Sequence, residues 1–254
     1  MKTMTAAILF VVFAGQLPSS ARAEKSDAPD AEELLKSSDR ARGAAASLQG
    51  MTWHSSIVAN ENGEKSEIAY LVKVRGNDAV AETLSPARQK GELVLFNDRT
   101  LWYYKPGLRK PVAVSPRQKL MGQAANGDIA STNYSRDYEA TSVEADKVGE
   151  TPAWRLELKA KAKNVTYDRI RYWVSQKERR ALKAEFLTLS GESFKIAEFK
   201  YGNSVKLKGE ELPFVSETTI RDTANPGNVT TITYKEPKEE AHPAGLFNVN
   251  NLIK

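Results

Sequence analysis

Catalysis needs side chains that move protons, supply electron pairs or hold metals, and this 254-residue chain is sparing with them. It has two histidines and no cysteine. His54 follows Trp53 in a predicted strand, and His242 precedes Pro243 in a predicted loop. The two are far apart and no histidine pair has metal-ligand spacing, which argues against zinc. "LSGES" around Ser190 lacks the second glycine of a nucleophile elbow and reads as a turn. No glycine-rich loop could cradle a phosphate. Aspartate and glutamate are plentiful but fall on the polar side of alternating strands, where carboxylates are solvated. The sequence points to no enzyme, no cofactor and no metal.

The residues that stand out are aromatic. "LWYYKPGLRKPVAV" (Leu101–Val114) runs three aromatics into Pro-Gly, with two basic residues following. Such a stretch can stack bases, hold a sugar, sit at a lipid headgroup level, or simply form a hairpin. Charge narrows the choice. A net charge of +5 is a mildly basic, mixed balance without a polyanion footprint. The first residues narrow it further. Lys2, the apolar run Thr5–Leu17 and the small-x-small site Ala21–Ala23 make residues 1–23 a signal peptide cleaved after Ala23. The run is shorter than the roughly 20 residues that span a bilayer. Export makes nucleic acid an unsuitable partner and places the mature chain in the periplasm. With no cysteine it carries neither disulfides nor a bacterial lipid anchor. Residues 24–254 read as a single domain held by packing alone.

These aromatics must be positioned by strands. Asp30 is placed to cap a helix, with Glu33 as its reciprocal partner; the helix covers "AEELLKSSDRARGAAASL" with an apolar stripe interrupted at Gly43. After Met51 the pattern changes to short alternating runs. "NENGE" and "RGNDA" are hairpin signals, and further turns fall at "FNDRT", "KPGL", "LSGES", "YGNS" and "NPGN". Many short strands with tight turns predict an antiparallel meander. Trp154, Leu156 and Leu158 oppose Arg155, Glu157 and Lys159, and Ile170, Tyr172 and Val174 oppose Arg169 and Arg171. A sheet with one apolar face must close on itself or wrap around helices. Ser115–Ala140 interrupts the meander. Its Ser-Pro start predicts a short helix stopped at Gly122, with a second turn or helix from Gly127. This insert is either a flap over the open side of the sheet or a plug in its core.

"DAEELLKSSDRARG", "ELVLFNDRTLWYYKPGLRKPVAVSPRQKLMGQAANGDIASTNYSRDYEA" and "HPAGLFNVNNL" resemble, in order, the outer-membrane lipoprotein-sorting protein family. That family is similar to the periplasmic lipoprotein carrier and its outer-membrane receptor. The resemblance implies a mainly β fold: a strongly curved antiparallel half-barrel, with an N-terminal helix and a short helical lid or plug over its concave face. It also implies a cavity that takes up acyl chains. One departure bears on the cargo. Where many relatives have serine, aspartate and an aromatic followed by an acidic pair, this chain has "QAANGDIASTNY" (Gln123–Tyr134).

On this reading the chain is a monomeric periplasmic carrier of a lipid or lipoprotein. An inner-membrane exporter and an outer-membrane acceptor are its expected partners. The alternatives are an envelope lipid-binding or sensor module and a periplasmic accessory protein of an exporter. The expected cavity lining is Trp53, Tyr70, Val72, Phe96, Trp102, Tyr104, Leu120, Met121, Trp154 and Tyr172. Arg109 and Lys110, at the tip of the aromatic hairpin, are expected to meet a headgroup or a partner.

Overall fold

The computed structural model describes residues 29–43, 49–97, 99–130 and 133–252. The expected signal peptide and the continuation of the first helix past Gly43 lie outside them. Helix α1 (Ala31–Arg40) is capped by Asp30, whose side chain accepts the Glu32 N–H at 2.8 Å. It ends in a turn closed by Gly43, at φ +94°. The first run of hairpins is β1 (Met51–Glu61), β2 (Glu64–Arg75), β3 (Asp78–Ser85), β4 (Leu93–Asn97), β5 (Thr100–Tyr104) and β6 (Val112–Val114). The insert follows, with β7 (Lys119–Met121), β8 (Ala124–Ala125), α2 (Asn126–Ala130) and α3 (Tyr134–Asp137). A second run comprises β9 (Tyr138–Val148), β10 (Thr151–Ala160), β11 (Arg169–Ser175), β12 (Ala181–Leu187) and β13 (Ser193–Lys200). The chain finishes with β14 (Asn203–Leu207), β15 (Glu210–Phe214), β16 (Glu217–Asp222), β17 (Val229–Glu239) and two 3-10 turns, Ala244–Phe247 and Val249–Asn251.

Thirteen of these strands form one antiparallel sheet, ordered β6-β5-β4-β3-β2-β1-β17-β16-β13-β12-β11-β10-β9. Strand β17 returns to pair with β1 and so joins the two runs. The edges β6 and β9 do not pair, and the sheet is an open half-barrel. Its register puts the apolar alternates of neighbouring strands side by side. Trp53 lies opposite Val72, Leu156 opposite Tyr172, and Ile170 opposite Phe186. A one-residue slip would turn each of these to the other face. Ile57, Tyr172, Ile170 and Leu156 are fully buried on the inner face, where α1 and the insert also pack.

The outer face divides into two parts. Along β9–β12 it is wet and laced with charge: Arg171 bonds Glu157 at 2.7 Å and Glu185 at 3.0 Å, and Arg155 pairs with Glu144 at 2.5 Å. Along β3–β5 it is dry. There the C-terminal turns bring Phe247 and Leu252 against Val80, Leu95 and Tyr104, with Trp102 at the margin.

The insert differs from expectation in its first half. Residues 115–121 form a turn and strand β7, not a helix. The backbone bonds needed for a helix go elsewhere: Gln118 O accepts from Asn126 N at 2.9 Å and Pro116 O from Gly127 N at 3.0 Å. Gly122 (φ +55°) then lies flat on the sheet, where a Cβ would come within 2.2 Å of Thr230 Oγ1 and 2.4 Å of the Ala59 Cβ. Ion pairs strap this half down, Arg117 to Asp168 at 2.6 and 2.7 Å and Lys119 to Glu61 at 2.8 Å.

Candidate functional site

Between the inner face of the sheet and its helical cover lies a cavity of about 60 Å³. Its wall is apolar where the sheet supplies it: Trp53 and Val74 from the first run, Phe186, Ala197 and Phe199 from the second, and Ile220, Ile232 and Tyr234 between them. Each is an inner-face alternate of its strand. The roof is polar. It consists of Arg42 and Gly43 after α1, Asp128 and Ile129 of α2, and Asn133, Tyr134 and Arg136 at α3.

The roof is held by hydrogen bonds. Asp39, 2% exposed, accepts the backbone N–H of Tyr134 at 3.0 Å and of Ser135 at 2.7 Å, which ties α1 to the start of α3. Arg42 Nη2 donates to the same carboxylate at 3.0 Å. Burial pushes the Asp39 carboxyl above its usual range, against the opposing pull of Arg42 and these N–H groups. The Arg42 guanidinium stacks 4.4 Å from the Tyr134 ring centre and 5.2 Å from that of Phe199. Its Nε has no hydrogen-bond partner among the described residues. On the other side, Asp128 accepts from Tyr167 Oη at 2.8 Å and from the Ala125 N–H at 2.8 Å. Burial raises its carboxyl as well, opposed first by Lys195. Lys195 is lowered by its own burial, with Asp128 pulling the other way, and its ammonium donates to Gln123 O at 2.7 Å.

The expected lining residues separate into groups. Trp53 lines the cavity, packs against Phe214 at 5.4 Å between ring centres, and has an unpartnered indole Nε1–H among the described residues. Tyr70 and Val72 are buried on the same face as Trp53 but belong to the packed core. Phe96 is on that face too, beneath the Arg136 guanidinium at 4.8 Å, and borders a much smaller void of about 10 Å³. Tyr172 is buried below α1 and hydrogen-bonded to Ser38. Leu120, Met121 and Trp154 are half-buried against the core, away from the cavity. Trp102 and Tyr104 have the opposite orientation to the one expected. They face the C-terminal turns on the outer side, and their neighbours Leu101 and Tyr103 take the inner face. Arg109 and Lys110 are exposed in the β5–β6 loop.

The roof residues Arg42, Asp128 and Asn133 escaped the sequence reading. The signals were present but weak: Asp39 and Arg42 have i,i+3 helical spacing in "DRAR". Phe199, Ile220 and Ile232 are alternates in runs already recognised as strands, with nothing local to say that a void borders them.

An open antiparallel half-barrel, roofed by helices over an apolar chamber, is the class that fold and cavity define. A family model described as "Uncharacterized protein" matches residues 76–254. A LolA superfamily protein from Nitrosomonas europaea is 26% identical, over 87% of this chain and 98% of that one, with a TM-score of 0.76. A putative outer membrane lipoprotein-sorting protein domain from Vibrio parahaemolyticus is 18% identical, over 87% and 97%, with a TM-score of 0.71. A DUF1329 family protein from Desulfovibrio piger is 17% identical, over 87% and 97%, with a TM-score of 0.69. The chain belongs to the family of that model, and its fold is similar to that of the LolA superfamily protein and of the outer membrane lipoprotein-sorting domain. No match is found among curated proteins.

Proposed function

We propose that this protein is a periplasmic carrier that buries the acyl chains of a lipid or lipoprotein beneath the α2–α3 roof and helps to move them to the outer membrane. The observation that carries this reading is the contrast between wall and roof. The sheet presents an apolar surface, and the part that covers it is held by hydrogen bonds and an ion pair. At about 60 Å³ the closed cavity is small, against roughly 300–1,000 Å³ for a site that encloses a drug-sized ligand. Loading therefore requires the roof to move. Each methylene that enters gains about 0.8 kcal/mol, so even part of a chain offsets the loss of a few roof hydrogen bonds. Release needs a competitor for the chain or the roof, which an outer-membrane acceptor supplies at one end as an inner-membrane exporter supplies cargo at the other.

The test is transfer. Donor vesicles carrying a fluorescent fatty-acyl probe are mixed with unlabelled acceptor vesicles, with and without the protein. Faster movement that scales with protein concentration is the expected result. Saturable binding without transfer would replace the carrier by a lipid-binding or sensor module, and no binding at all would remove the acyl reading.

A further inference from the structure

At one end of the sheet the cavity adjoins a second space, and arginines border it. The β2–β3 turn (Gly76 and Asn77) and the β4–β5 turn (Asn97 and Arg99) lie there side by side, because Ala79 pairs with Phe96 just inside them. Arg75, Arg99 and Arg136 border one open cleft of about 600 Å³ between these turns and α3. Gly76, Asn77, Asp78 and Arg136 border both this cleft and the apolar cavity, so the two spaces adjoin. Arg136 is committed to Asp137, its Nε donating to Oδ1 at 2.6 Å. Among the described residues, Arg75 and Arg99 have no carboxylate partner, and Asp78 is the acidic side chain that borders the cleft. Arginine remains charged at any physiological pH and its planar fork matches phosphate oxygens.

We infer that this cleft is an anion subsite for the phosphate of an amphiphile whose chain lies in the cavity, with Arg75 and Arg99 as its free donors. The inference rests on the acyl-binding reading and adds the class of headgroup to it. It also moves the headgroup contact away from Arg109 and Lys110. Their loop leaves β5 at Tyr104, the far end of the strand from Arg99: the strand alone, Thr100–Tyr104, spans about 14 Å at a strand's rise per residue.

The experiment uses two chain-matched probes, 1-oleoylglycerol 3-phosphate and 1-oleoylglycerol, which differ only by the phosphate. Their affinities are measured by competition against a fluorescent acyl probe, for the wild-type protein and for the Arg75→Gln, Arg99→Gln double variant. The phosphate form should bind wild type about tenfold more tightly at low salt, the size expected of one or two partly exposed charge-assisted hydrogen bonds. The double variant should bring that ratio close to one. Equal binding of both probes by wild type would overturn the anion subsite and leave the acyl site standing. Failure of both probes would overturn the acyl reading, and this inference with it. Inorganic phosphate separates the two sources of the anion. Free phosphate should erase the preference only in large excess; a cleft that binds it as tightly as the amphiphile is a phosphate site, and the headgroup assignment falls. A preference that survives in the double variant places the anion elsewhere.

Discussion

Asn133 Nδ2 donates to Asn77 Oδ1 across 2.8 Å, joining the cap of α3 to the β2–β3 turn at the lip of the cavity. The bond links the roof to the sheet and has no counterpart within either element. Replacing Asn77 with Ala should cost about 1 kcal/mol, the net value of such a bond. Because the cost falls on the open-closed balance of the roof, amide exchange at Tyr134–Asp137 should rise about fivefold. The long strands β1 and β2 should keep their protection. Hydrogen exchange read by mass spectrometry checks this, and an unchanged α3 would mean that the Asp39 bonds hold the roof by themselves.

The other half of the insert is expected to stay down. Gly122 combines a left-handed φ of +55° with a Cβ position only 2.2 Å from Thr230 Oγ1. Gly122→Ala should therefore destabilise by about 3 kcal/mol, from left-handed strain and overpacking together. The midpoint of chemical denaturation reads this directly. A shift of a few tenths of a kcal/mol would show that β7–β8 is not seated on β1 and β17.

Two tryptophans should report opposite environments. Trp53 borders the cavity, whereas Trp102 faces the C-terminal turns. A fatty-acyl chain bearing a spin label should quench part of the protein's tryptophan emission. Trp53→Phe should abolish most of that quenching, and Trp102→Phe should leave it. The reverse pattern would place the chain on the outer side of the sheet.

Acid should loosen the strap between the insert and the β10–β11 connection. Arg117 hydrogen-bonds Asp168 and holds its carboxyl below the usual range. A carboxylate with a depressed folded pKa adds stability above its unfolded pKa, about 3.9, and that stability is lost as pH falls further. The pair is about one-third exposed, so its value is only about 0.5–1 kcal/mol. Thermal melts of wild type and Arg117→Gln should differ by that amount at pH 6 and converge near pH 2–3. Parallel curves across the range would mean that the pair contributes no pH dependence.

Much of the framework was legible because it is local. Asp30 announces the start of α1, and Asn62-Gly63 sits in a turn with both residues at positive φ, as its composition requires. The alternation in "AWRLELKA" and "RIRYWVS" sorted the inner from the outer face correctly, since one face of each strand is buried and the period is two. The family motifs, carried in order along the chain, agree with the open half-barrel. The aromatic stretch Leu101–Val114 was legible as a hairpin with its turn at "KPGL", and β5 and β6 pair across that loop. The segment after Ser115 was not, because a Ser-Pro start favours a helix only when no other partner claims the backbone.

What the sequence by itself determined, then, was the set of strands, their alternation and the need for a cover. Only the tertiary structure decided which face of β5 looks inward. Leu101 with Tyr103, and Trp102 with Tyr104, are equally good apolar pairs, and their sides are assigned by the register of β5 against β4 and by Phe247 and Leu252 arriving from the far end of the chain. The same is true of the roof. Asp39 meets Tyr134, and Arg75 meets Arg99, only after more than twenty residues of intervening chain have folded. Patterning over a few residues carries the period of an element, whereas a cavity and its mouth exist only between elements distant in sequence, where the closing surfaces come together.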